Sequence, residues 1–172
     1  MRSRPLRRAW SAAAAAALIA LAGCGGGEDP SMATGVQQGP YDVVRVVDGD
    51  TIRVMRGGEE IVIRLIGINT PETVAPDRPV ECFGPEASAR TKELVEGQQV
   101  WLEYDPVSGM TDKYDRTLAY VWLSQDVMLN ELLVREGFAE EYPYSKGAKF
   151  EDEMAAAERA AQAAGAGLWG AC

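Results

Sequence analysis

Three short segments carry side chains suited to cutting a phosphate ester: Val47-Asp48-Gly49-Asp50-Thr51, Arg64-Leu65-Ile66-Gly67-Ile68-Asn69-Thr70-Pro71-Glu72 and Asp112-Lys113-Tyr114-Asp115-Arg116. Their carboxylates and carbonyls are hard oxygen ligands for a cation. Glu72 supplies a carboxylate that can handle water. Arg64 and Arg116 supply planar forks that match phosphate oxygens. The chain of 172 residues contains no histidine. That excludes a Ser-His-Asp triad, histidine acid–base chemistry and histidine-ligated zinc. What is left is carboxylate and metal chemistry assisted by arginine.

Taken singly, each residue has two readings. Asp50 ends a turn between two strands, so it either caps that turn or projects as a ligand. Arg64 lies between Ile63 and Leu65, where it faces either solvent or a polar pocket. Thr70 precedes Pro71 and is held extended. Glu72 follows Pro71 and on its own would pass for a solvated loop acid.

The elements that must position these residues follow from pattern. Tyr41–Val47 is a valine-rich strand ending in the Asp-Gly-Asp turn, and Thr51–Met55 alternates as a second strand. After Arg56-Gly57-Gly58-Glu59, a turn, Ile61, Ile63 and Leu65 share one face of a third strand. Residues 73–83 read as a loop. Pro85 opens a helix that Gly97 closes, lined by Ala87, Thr91, Leu94 and Val95. Val100, Leu102 and Tyr104 mark a fourth strand; Leu118, Tyr120 and Trp122 mark a fifth. Met128, Leu129, Leu132 and Leu133 form the apolar face of a short helix stopped by Gly137. Phe150, Met154, Ala157, Ala161 and Ala164 predict a last helix. Five antiparallel strands with a helix after the third suit a small closed barrel of the OB type; an open sheet with helices on one face would give the same string.

The motifs together resemble the thermonuclease (staphylococcal nuclease-like) family, from about Tyr41 to Trp169. The resemblance rests on Asp48-Gly49-Asp50-Thr51, the Arg64–Glu72 run, Cys82-Phe83-Gly84-Pro85-Glu86-Ala87-Ser88, and Asp112-Lys113-Tyr114-Asp115-Arg116 ahead of Leu118-Ala119-Tyr120. It implies a mainly β fold with α, a five-stranded OB barrel with three helices. It also implies a calcium-dependent nuclease that cuts single-stranded or denatured DNA and RNA and leaves 3′-phosphate ends. In that frame Asp50 is the main calcium ligand and the Thr70 carbonyl another. Glu72 is the base or water-orienting group. Arg64 and Arg116 clamp the phosphate. Lys113 and Tyr114 reach a flanking phosphate, and Tyr142 and Tyr144 border the nucleotide. The family commonly has aspartate where this chain has Asn69, which keeps an oxygen ligand but removes a negative charge. The competing expectation is a catalytically weak OB barrel that binds nucleic acid or a partner as a surface lipoprotein.

Charge and cysteines bound the setting. Arg2, Arg4, Arg7 and Arg8 precede an apolar run too short to span a bilayer, and Leu21-Ala22-Gly23-Cys24 resembles a lipobox. Residues 1–23 therefore read as a signal peptide and residues 24–40 as lipidated Cys24 plus a flexible tether. Residues 41–172 are the folded domain, a monomer held to the extracytoplasmic face of a membrane. Without residues 1–23 the chain has 13 basic and 26 acidic residues, a formal charge of −13. Such a surface repels nucleic acid at long range, so a polyanion must be held locally. With Cys24 lipidated, Cys82 and Cys172 remain, and an even remainder in an exported protein points to a disulfide over two buried thiols.

Overall fold

The structure, a computed structural model, describes residues 35–74, 76 and 79–172. The signal peptide, Cys24 and the tether as far as residue 34 lie outside the described residues.

β1 (Gln38–Asp48) turns through Gly49 and Asp50 into β2 (Thr51–Arg56). Gly57 and Gly58, with φ of 60° and 89°, then make the two-residue hairpin into β3 (Glu59–Leu65). β1 pairs with both β2 and β5 (Gln99–Glu103), with irregular register along both partners, which lets one long strand bend around the barrel. β5 pairs with β6 (Thr117–Ser124), and β6 closes the barrel on β3. That last pairing corrects the all-antiparallel expectation: Ile63, Arg64 and Leu65 run parallel to Thr117, Leu118 and Ala119. Five strands cannot alternate direction all the way around a closed barrel, so one neighbouring pair must run the same way.

Ile52, Val54, Ile63, Leu65, Leu102 and Leu118 fill the interior. α1 (Gly84–Val95) lays Ala87, Thr91 and Val95 on the barrel, and the Thr91 hydroxyl donates to the Gly49 carbonyl at 2.6 Å. Thus a helix residue pins the Asp-Gly-Asp turn from outside. In α2 (Leu129–Arg135) the buried residues are Leu129, Asn130, Leu133 and Val134. The expected stripe through Met128 and Leu132 is rotated. Met128 belongs to the two-residue strand β7 (Val127–Met128). Asn130 turns inward because its amide accepts from Val121 N–H at 2.9 Å and donates to Ile66 C=O at 2.8 Å, satisfying backbone the barrel leaves unpaired. α3 (Glu151–Ala164) buries Met154, Ala157 and Ala161, while Ala164 is exposed. Two short strands absent from the sequence reading, β4 (Ile68–Asn69) and β8 (Glu140–Glu141), pair with each other. A one-turn helix, α4 (Leu168–Ala171), ends the chain.

α4 is locked by a backbone contact that only glycine permits. A Cβ on Gly137 would lie 2.2 Å from Ala166 O, and one on Gly167 2.1 Å from Gly137 O. Leu168 N–H then donates to Gly137 O at 2.9 Å. From this anchor Cys172 bonds Cys82, just ahead of α1, across a sequence separation of 90. Closing a loop of that length stabilises the fold by roughly 4–5 kcal/mol in the chain-entropy picture. Urea unfolding of the Cys82→Ser/Cys172→Ser double variant should therefore show a midpoint well below that of the parent chain. Equal midpoints would place the cross-link outside the cooperative unit.

Candidate active site

The parallel seam decides where the charged residues meet. Arg64 is level with Leu118 on one side and with Thr51 on the other. Arg116 precedes Thr117, and Asp50 precedes Thr51. Asp50, Arg64 and Arg116 are therefore brought to one end of the barrel by strand register alone.

Arg64 is buried, with only 6% of its side chain accessible. Its Nη2 lies 2.9 Å from Asp50 Oδ2 and donates to Asn69 Oδ1 at 3.3 Å. Its Nη1 donates to the carbonyls of Leu65 and, at 3.0 Å, Ile68. The guanidinium so organises the 65–69 turn while facing the cleft. Asp50 accepts from the Thr51 hydroxyl at 2.9 Å and from Thr70 N–H at 3.1 Å. A buried ion pair survives only when its remaining donors and acceptors are met in this way.

The Asp112–Arg116 loop closes on itself. Asp112 N–H donates to Arg116 O, and the Asp112 carboxylate accepts from the backbone of Tyr114 and of Arg116. The same carboxylate takes the Arg116 guanidinium at 2.7 Å to Nε and 2.6 Å to Nη2. Burial pushes the Asp112 carboxyl up, but these hydrogen bonds and the arginine charge outweigh it and hold it below the usual value. Arg116 Nη1 reaches the Thr51 hydroxyl at 3.4 Å. Its Cζ sits 5.4 Å from the centre of the Tyr114 ring, and Lys113 Nζ 4.9 Å from it. Tyr114 is two-thirds exposed, so this corner forms the rim.

Glu72 stands opposite, on the loop before α1. Its Oε1 accepts from Thr73 N–H at 3.0 Å and Val74 N–H at 2.8 Å. The Thr73 hydroxyl donates to Asp48 Oδ1 at 2.6 Å. Asp48 is a functional candidate the sequence reading left without a role. Burial pushes its carboxyl up, the bonds from Thr73 and Gly49 pull it down, and the charges of Asp50 and Glu72 push it up again, for a net rise. Three carboxylates are thus close enough to repel one another on this side of the cleft.

These residues line one open cleft of about 670 Å³, whose walls include Asp50, Arg64, Asn69, Thr70, Glu72 and Arg116. Lys113, Tyr114 and Tyr142 border it as well. Tyr144 does not; it lies in the adjoining hollow with Thr111 and Leu118. Its ring sits 5.7 Å from Arg64 Cζ and edge-on to Tyr142 at 5.6 Å. Burial raises the Tyr144 phenol, against the pull of Arg64 and Arg116. Tyr144 therefore packs beside Arg64 in a hollow it shares with Lys113, Tyr114 and Arg116, while Tyr142 N–H ties the same segment to Gly67 O at 3.0 Å. Glu81 also lines the cleft; nothing in its sequence position, on the loop before Cys82, points to it.

The donor set suits a hard cation. Among the described residues no three His, Cys, Asp or Glu side chains form a metal cage by themselves. Asp50 and the crowded Asp48 are instead joined by neutral oxygens, the Asn69 amide and the Thr70 carbonyl, a mixture typical of calcium. Thr70 Oγ1 is buried without a partner among the described residues, against the Asp-Gly-Asp turn. A Cβ on Gly49 would lie 2.7 Å from it.

Comparison with known proteins accords with this geometry. The family described as "Staphylococcal nuclease homologue" matches residues 62–171. The chain is 44% identical over 129 residues to a thermonuclease of Staphylococcus hyicus, covering 75% of each protein. It is 42% identical over 145 residues to a thermonuclease of Staphylococcus intermedius, covering 84% of each. It is 36% identical over 126 residues to the endonuclease YncB of Bacillus subtilis (strain 168), covering 73% of this chain and 59% of that one. With the family match covering residues 62–171, well over half of the chain, and with relatives at 42–44% identity covering three quarters or more of it, the chain belongs to the staphylococcal nuclease homologue family.

Proposed function

We propose that this chain, a nuclease of its family, is a calcium-dependent enzyme that hydrolyses phosphodiester bonds of DNA and RNA and leaves 3′-phosphate ends. The observation that carries the reading is the convergence of Asp50, Arg64, Glu72 and Arg116 on one cleft. Calcium held by Asp50, Asn69 and the Thr70 carbonyl would offset phosphate charge. The residues do the rest. Glu72, tethered by its own turn, takes a proton from the attacking water. Arg64 shares Nη2 between Asp50 and Asn69, and a phosphate oxygen on the cleft floor competes for that donor. Arg116 is pre-aimed by Asp112 and stabilises the charge that builds on phosphorus as the bond to the 5′ oxygen breaks. Arg53, Arg64, Lys113 and Arg116 line the cleft itself, which suits a single-stranded or denatured substrate that can bend into it over a stiff duplex.

The setting belongs to the same reading. We place the enzyme outside the cytoplasm as a monomer, lipidated at Cys24. The lipobox-like sequence supports that, and so does a disulfide, which suits an oxidising compartment. Among the described residues no helix is long and apolar enough to cross a membrane.

Denatured DNA with calcium, then with excess chelator, tests the whole reading: hydrolysis should appear with the ion and stop without it. Turnover that ignores the chelator removes calcium from the site. Glu72→Gln should lower kcat by about 10²–10⁴-fold, the range of a positioned base, with KM and the circular dichroism spectrum unchanged. Unaltered kcat would take Glu72 out of the reaction. Asn69→Asp should tighten calcium binding by roughly tenfold or more, since ligand charge sets calcium affinity over decades. Calorimetry showing identical affinities would remove Asn69 from the ligand set.

A further inference from the structure

Glu72 sits farther from any barrel strand than Asp50, Arg64 or Arg116, which are in a strand or next to its first residue. Its position depends on the loop that carries it, and one residue holds both polar atoms of its peptide backbone. Glu72 N–H donates to the Glu81 carboxylate at 2.9 Å, and Glu81 N–H donates to Glu72 C=O at 2.9 Å. Glu81 C=O in turn accepts from Gly84 N–H at 3.1 Å, at the start of α1. The neighbouring residue, Cys82, is bonded to Cys172 on the locked C-terminal helix. A short chain of contacts thus runs from the Gly137–Gly167 backbone contact through α4, the disulfide and Glu81 to the backbone of Glu72.

We propose that Glu81 is a positioning residue for Glu72 and that the Cys82–Cys172 bond is its brace, so that the redox state of this disulfide sets turnover. The inference rests on the role assigned to Glu72 above. Glu81 acts as a hydrogen-bond acceptor, not as a charge: it fixes the peptide from which the Glu72 side chain departs, and Oε1 of Glu72 is then oriented by Thr73 and Val74 N–H. Both half-cystines are exposed, so a thiol reductant reaches the bond. Reduction leaves the barrel in place, with Arg64 on β3, Asp50 held by Arg64 and Thr70 N–H, and Arg116 held by Asp112. What it loosens is the base. The signature is therefore a fall in kcat with little change in KM, because binding groups stay in place while the reactive carboxylate loses its aim.

The test uses the full chain, denatured DNA and saturating calcium, at a temperature where circular dichroism finds each variant folded. Glu81→Ala should lower kcat by about tenfold or more, the scale expected when a reacting group drifts by a fraction of an ångström to an ångström, and leave KM near the parent value. Glu81→Gln keeps an acceptor oxygen and should recover most of the turnover. Cys82→Ser/Cys172→Ser should lower kcat in the parent, and much less in the Glu81→Ala background, because both act through one linkage. If the double variant does not fold, Glu81→Ala and Glu81→Gln, which keep the disulfide, carry the test. Parent-like kcat in Glu81→Ala overturns the inference. So does a Glu81→Gln as poor as Glu81→Ala, which would make Glu81 a charge, or disulfide and Glu81 effects that multiply independently. Glu72→Gln is measured alongside. If it is crippled while Glu81→Ala is not, this inference alone fails. If it is fully active, the role of Glu72 fails first.

Discussion

Everything at the reactive end of this molecule depends on the parallel pairing of β3 with β6. An odd-stranded barrel must contain one such seam, and here it falls where Arg64 and the Arg116 loop need to meet. Had the sheet stayed open, β3 would be an edge and Arg116 would have no fixed relation to Arg64. Closure turns two positions separated by half the domain's sequence into neighbours by hydrogen-bond register. The β1–β2 turn brings Asp50 to the same end, because Leu65 N–H donates to Asp50 C=O at 2.9 Å. Side chains placed by strand register sit on the stiffest part of the fold.

The buried Arg64–Asp50 pair follows from that seam. Removing either partner would leave an uncompensated charge in a poorly solvated place, whereas the pair as built has its acceptors and donors met by Thr51, Thr70, Asn69 and two carbonyls. The surrounding charge is unusual for a protein acting on a polyanion. The chain is strongly acidic, and three further carboxylates, Asp48, Glu72 and Glu81, line the cleft beside Asp50. Long-range attraction cannot recruit substrate here. Local donors line the same cleft: Arg53, Arg64, Lys113 and Arg116. The Asp48 carboxyl is raised first by burial and to a lesser degree by the charges of Asp50 and Glu72, and the divalent ion proposed above would relieve that repulsion.

Much of this was legible in the chain. Period-two apolar runs placed all five barrel strands, Gly57-Gly58 placed the hairpin, and the Pro85 start placed α1. What escaped did so for physical reasons. The parallel seam follows from closure, which is a global property and leaves no mark in a local pattern. Asn130 looks like an exposed helix residue until the unpaired backbone of Val121 and Ile66 is known. β4 and β8 are two residues each, too short for periodicity, although they set Asn69 opposite Glu140. In the cleft, Asp50, Arg64 and Glu72 each had a bland reading when taken singly, and it was the ordered motifs and the family resemblance that singled them out together with Arg116. Asp48, in the same Asp-Gly-Asp turn, was visible in the motif but had no assigned role. Tyr144, expected to border nucleotide, lies in a hollow beside the cleft with Lys113, Tyr114, Arg116 and Tyr142 and packs on Arg64. Asp112 and Glu81 act on other side chains or on backbone, and residue type alone does not announce such a task.

The site is therefore built in two parts of unequal stiffness. The half proposed to bind, with Asp50, Arg64 and Arg116, is on β3 (Arg64) or directly abuts the first residues of β2 and β6 (Asp50, Arg116), whose displacement would require opening the barrel. The reactive half, with Glu72, hangs on a loop, and loops open at far lower cost than core strands. A carboxylate that must meet water and phosphorus within a fraction of an ångström cannot rely on such a loop unless something outside it takes the strain. Pro71 restricts the entry. Thr73 ties the next residue to Asp48 at 2.6 Å. Gly84 lets the start of α1 press to within a contact that a Cβ would forbid, 2.8 Å from Thr73 and 3.0 Å from Glu72 O. Glu81 and the disulfide close the exit. On the proposed roles, a barrel with this cleft but without those ties would keep the groups assigned to the cation and the phosphate, yet it would hold the proposed base poorly. The ties around Glu72 are then what would separate a phosphate-binding barrel from one that hydrolyses.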